Sequence, residues 1–143
     1  YVSINDVQAS KNVVDYLLSL GRRKIALLNG PLKYKYARER LIGYQQALNI
    51  ANIPLDYDLI CEIPEINYDI ASATCYQLLN SQNRPDAIFA VSDIYAIAAI
   101  KAIKQTKLHV PKDIAVVGFD EVVHCLSQLL DRRKAGPSRR VPS

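Results

Sequence analysis

Four short apolar runs constrain this chain more than any other feature. They are Lys24–Leu28 (KIALL), Leu59–Ile63 (LICEI), Ala87–Val91 (AIFAV) and Ile114–Gly118 (IAVVG). None alternates apolar with polar residues as a half-buried strand does, so each reads as a strand covered on both faces. Between them lie stretches with helical rhythm. Residues 9–20 set Val13, Leu17 and Leu20 on one face, with Ser10 as the expected N-cap and Gly21 as the stop. Residues 37–51 do the same with Leu41, Tyr44 and Leu48, and residues 68–80 with Ile70, Ala73, Leu78 and Leu79 behind Asn67 as cap. Residues 93–106 are apolar nearly all round for two turns, which predicts burial on more than one side. Helix-strand alternation of this kind predicts an α/β fold: a doubly wound parallel sheet with helices on both faces.

The regular pattern runs over residues 1–122 and is lost in 123–143. The net charge of +4 belongs to the end of the chain. Residues 131–143 carry five basic side chains and one acidic, leaving thirteen of each sign in residues 1–130. The body therefore has no basic excess to draw in nucleic acid. The tail, rich in Pro, Gly, Ser and Arg, is expected not to pack. No apolar run is long enough to span a bilayer, and no signal-peptide pattern opens the chain. The absence of Met and the start at Tyr1 suggest an excerpt of a longer protein. Cys61, Cys75 and Cys125 are odd in number and widely spaced, and the only histidines are His109 and His124. Reduced thiols in a cytoplasmic protein, with neither a disulfide framework nor a metal site, are the expectation.

In an open parallel sheet a ligand sits outside the carboxyl ends of the strands. Those ends are Asn29-Gly30-Pro31, Pro64–Ile66, Ser92-Asp93 and Phe119-Asp120-Glu121. The glycine-rich signatures for dinucleotides and nucleotide phosphates are absent, as is the nucleophile-elbow motif, so neither enzyme activity nor a cofactor is expected. Arg40 lies one turn into a helix that follows a strand-end loop. Its fork of donors suits adjacent hydroxyls or a carboxylate, although a helix arginine can equally pair with Glu39 on the surface. Asp120 can accept from sugar hydroxyls or cap a turn. Tyr34 and Tyr36 can wall a pocket or simply pack their loop.

Four stretches carry a resemblance. VVDYLLSLGRRKIALLNGP, ARERLIGYQQAL, RPDAIFAVSDIYAIAAIKAI and LHVPKDIAVVGFDEV are similar, in order and spacing, to motifs of the lactose-repressor/galactose-repressor family of bacterial transcription regulators. The resemblance covers about residues 2–122. It implies mainly the C-terminal lobe of a two-lobed, periplasmic-binding-protein-like core that senses a sugar, nucleoside or purine. It implies that Arg40 and Asp120 grip the effector and that Tyr34 and Tyr36 line its pocket. Ile66 falls where many members stack an aromatic ring, Ser92 where sugar binders have Asn, and Asn5-Asp6 where the family has Asp-Asn. It implies a homodimer with Ile94, Tyr95 and Ala98 at the contact. Operator DNA would be bound only through a helix-turn-helix that this chain does not contain. The alternatives are a periplasmic sugar-binding protein of a transport system, which shares the fold, and an enzyme on a doubly wound sheet.

Overall fold

The computed structural model describes residues 6–118. Asn5, Asp120 and the tail of residues 123–143 lie outside the described residues. Helix α1 (Asp6–Ser19) leads into strand β1 (Ile25–Asn29), then α2 (Lys35–Ile50), a 3-10 turn (Tyr57–Leu59) and β2 (Ile60–Glu62). Helix α3 (Tyr68–Leu79), β3 (Ala87–Ala90), α4 (Asp93–Gln105) and β4 (Ala115–Gly118) follow. The sheet is parallel, in the order β2-β1-β3-β4. The register sets Leu28 opposite Ala90 and Asn29 opposite Glu62.

This order follows from handedness. The chain steps from β1 outward to β2, returns to β3 on the other side, and continues to β4. Right-handed crossovers then put the connection through α2 on one face and those through α3 and α4 on the other. Accordingly α1 packs on α2 and α3 packs on α4. Every residue of β1, β3 and β4 is buried, as expected for strands covered on both faces, whereas edge strand β2 is only partly covered. The order reverses between β1 and β3, so the ligand-binding crevice of such a sheet opens at their carboxyl ends. Among the described residues no helix is long and apolar enough to cross a membrane.

Helix ends follow local chemistry, with one correction. Asn67 caps α3 by accepting from the Ile70 amide at 3.0 Å. Gly21, at φ +89°, closes α1, with the Arg22 amide reaching Leu17 and the Gly21 amide reaching Leu18. Ser10, expected to cap α1, instead sits inside it. The helix begins at Asp6, whose carboxylate suits the first turn, and Ser10 is fully buried with its hydroxyl donating to the Arg40 carbonyl at 2.6 Å. At the other end of the molecule Arg22 ties three segments together. Its guanidinium donates to the carbonyls of Pro111 at 2.6 Å and Asp86 at 3.0 Å, and more loosely to that of Asp113.

Tyr44 of α2 is wholly buried, and its hydroxyl donates to the Ile25 carbonyl at 2.6 Å. Burial, and then repulsion from the ionised forms of Cys61 and Asp56, push its pKa far above the ordinary phenol range. Tyr44→Phe keeps the packing and removes the donor, so it is expected to lower stability by about 1–2 kcal/mol. A lower urea midpoint at unchanged slope is the signature to look for.

Candidate functional site

The site begins with the turn after β1. Asn29 is buried at the strand end. Its amide donates to the Ala37 carbonyl at 2.9 Å and its side-chain oxygen accepts from the Gly30 amide at 2.9 Å. One side chain thus ties the end of the strand to the first turn of α2. Gly30 meets a steric demand. A Cβ there would collide with the Tyr36 hydroxyl and come within 3.2 Å of the ring's Cζ. Tyr36 therefore lies directly on the turn.

Three of the expected residues are brought together on this base. The rings of Tyr34 and Tyr36 stack with centroids 5.8 Å apart and planes 17° from parallel. The Arg40 guanidinium carbon stands 4.9 Å from the Tyr36 centroid. Arg40 Nη1 donates to the Val91 carbonyl at 3.1 Å, which joins α2 to the end of β3 across the point where the strand order reverses. Glu39, the alternative partner for Arg40, instead lies 3.8 Å from Lys35. Among the described residues the carboxylate that faces Arg40 is Asp6, with Oδ1 4.0 Å from Nη2 and both side chains mostly covered.

Ser92 and Ile66 lie past the carboxyl ends of β3 and β2. Ser92 caps α4, its hydroxyl oxygen accepting from the Tyr95 amide at 3.3 Å. Ile66 is exposed in the loop between β2 and α3. Two dimer-contact expectations are corrected, because Tyr95 and Ala98 are both fully buried inside the chain. The Tyr95 hydroxyl reaches toward the Glu65 carbonyl at 3.4 Å. Its acidity is weakened first by burial and then by Tyr36, so it belongs to the strand-end region and not to an outer face. Ala98 is small because α4 lies close against the sheet. Ile94 and Ile97 are the large apolar side chains that α4 turns outward. Asp6 and Asn29 are the residues here that the sequence named only as part of a pair and of a strand end, with no role of their own. Asn29 was visible only as a strand end, and the Asp6–Arg40 pairing spans two helices.

Nucleophilic chemistry finds little support here. The Cys61 and Cys75 thiols are pushed up by burial to about 11 and about 12, so both stay protonated at neutral pH. Cys61 borders a hollow of about 190 Å³ with Asp58, Thr74, Gln77 and Ser81, toward the amino ends of the strands and away from Arg40. Among the described residues no group of three or more His, Cys, Asp or Glu is placed to hold a metal ion.

Comparison with known proteins decides the family. The model of the periplasmic binding protein-like domain matches residues 14–130. The chain belongs to the lactose-repressor family. Within this family it is 34% identical over 121 residues to the HTH-type transcriptional regulator CelR of Thermobifida fusca, covering 85% of this chain and 35% of CelR. It is 36% identical over 106 residues to the ribose operon repressor of Haemophilus influenzae, covering 74% of this chain and 32% of the repressor. A solved sugar-binding regulator of the lactose-repressor family from Escherichia coli, complexed with phosphate, superposes with a TM-score of 0.76 at 26% identity, over 91% of this chain and 55% of that one. The chain thus spans about a third of the length of these curated relatives.

Proposed function

We propose that this chain is an effector-sensing lobe of a bacterial transcriptional regulator, acting by binding and not by catalysis. The observation that carries the reading is Arg40. It is held at the strand-order switch point by the Val91 carbonyl and covered on one face by Tyr36. A largely covered guanidinium beside the half-buried Tyr36, with the exposed Tyr34 stacked on it, offers forked donors and a flat apolar wall, the pairing that suits a sugar, nucleoside or purine. Tyr34, Ser92 and Ile66 are proposed to line the pocket, with Asn5 and Asp120 contributing from the flanking segments. The relatives' names support a sugar-type effector, since one represses a ribose operon and another is called sugar-binding. In the whole regulator the effector lies between this lobe and a second one. Its binding biases the lobes between two arrangements and so sets the spacing of helix-turn-helix heads on operator DNA. The protein works in the cytoplasm as a homodimer, with the outward Ile94 and Ile97 of α4 at the contact.

Arg40→Ala in the intact regulator tests the reading. Losing a charged hydrogen-bond partner from a desolvated site costs about 2–4 kcal/mol, roughly 30- to 1000-fold in affinity. Operator binding without effector should persist while release by effector is lost. Effector affinity within twofold of the parent would remove Arg40 from the site.

A further inference from the structure

Arg40 is not an isolated cation. Asp6 lies against Nη2, the Val91 carbonyl takes Nη1 and Tyr36 covers one face of the fork. With Arg40 12% and Asp6 16% exposed, salt screens the pair only weakly and the carboxylate balances the guanidinium from within. Among the described residues the other ionic groups near this rim do not restore a positive field. Glu62 accepts from the Leu32 amide at 2.8 Å, and Glu65 and Asp93 are exposed at neighbouring strand ends. Lys33 stands over the outer Tyr34 ring, Lys35 pairs with Glu39, and Arg38 directs Nη1 to the carbonyls of Leu32 and Lys33.

We propose that this lobe selects an uncharged, hydroxyl-bearing effector over a phosphorylated or carboxylated one, and that Asp6 sets the choice. The inference rests on the assignment of Arg40 to the effector pocket. An anion approaching Arg40 meets the Asp6 carboxylate. It must displace it or lie beside a like charge, and either weakens binding. A vicinal diol avoids that conflict, because it accepts from the guanidinium and donates to the carboxylate. Asp6 is thus a specificity residue that acts partly through Arg40.

The test uses inorganic phosphate as the anionic probe, titrated into the intact regulator by calorimetry and followed by thermal melting. The parent is expected to show no saturable phosphate binding in the millimolar range. Asp6→Asn keeps the shape and removes the charge. It is expected to gain Arg40-dependent phosphate binding at least about tenfold tighter than the parent. Adding Arg40→Ala to Asp6→Asn is expected to abolish the gain. Saturable, Arg40-dependent binding by the parent would overturn the proposal whatever the variants do. So would a folded Asp6→Asn protein that gains nothing. Effector-driven operator release is scored separately. If it fails to depend on Arg40 while the phosphate pattern holds, the sensor assignment falls and the charge balance stands.

Discussion

Gly43→Val is expected to leave the chain unable to hold its fold, and Gly43→Ala to cost about 2–3 kcal/mol. Gly43 lies inside α2, where glycine weakens a helix by about 1 kcal/mol relative to alanine, so local propensity favours both replacements over glycine or nearly so. Packing opposes them more strongly. A Cβ at this position would run into the Val7 backbone carbonyl, 2.7 Å from Ser10 Cβ and 2.9 Å from the Lys11 amide. Two of these obstacles are main-chain atoms of α1, which cannot rotate away. The helices must part, and parting them breaks the Ser10 hydroxyl bond to the Arg40 carbonyl. Overpacking a close contact costs about 1–3 kcal/mol for a small group and more for a branched one. Urea melts of the intact regulator measure the loss. A Gly43→Ala protein as stable as the parent would show that α1 yields at this crossing at little cost. The site shares the consequence, since Gly43 follows Arg40 by one turn of the helix. The same close approach that excludes a side chain at Gly43 keeps the amino end of α1, with Asp6, within reach of the guanidinium.

That crossing also shows where the sequence could and could not be read. The strands were legible because continuous apolar runs of four or five residues have few other uses, and the parallel order followed from the helices between them. The start of α1 was not. Ser10 has the chemistry of a cap and the turn before it lacks an apolar rhythm, so the sequence predicts a start there. The reason for a serine at this position is a contact with α2, thirty residues away along the chain. Asp6 and Arg40 are equally remote in sequence, so only the packing of α1 on α2 brings the carboxylate to the guanidinium. Arg40, Tyr34 and Tyr36 were visible early because they share one loop and one helical turn, and short-range spacing is what a sequence displays most directly. In α4 the apolar residues circle the helix, which signals burial without saying which side meets the sheet.

The α4 ambiguity leads to the second large effect. Ala98→Asp is expected to destroy the fold, whereas Ile97→Asp should leave it intact and weaken self-association of the regulator. Ala98 is fully buried and Ile97 is 58% exposed, though they are neighbours in the helix. The inward stripe includes Ala98, Ala99 and Ala102, whose small side chains let α4 lie close to β3 and β4. A carboxylate at Ala98 would be desolvated without a cation beside it, a penalty of several kcal/mol against a total domain stability of about 5–15 kcal/mol. At Ile97 the same carboxylate stays in water, so the monomer loses little. The proposed dimer, however, would have to bury two of them across a symmetric contact, because each subunit brings the same patch. Circular dichroism reports the first effect and sedimentation at micromolar concentration the second. A folded Ala98→Asp protein would overturn the first expectation, and an Ile97→Asp regulator that is folded and still fully dimeric would move the subunit contact away from α4.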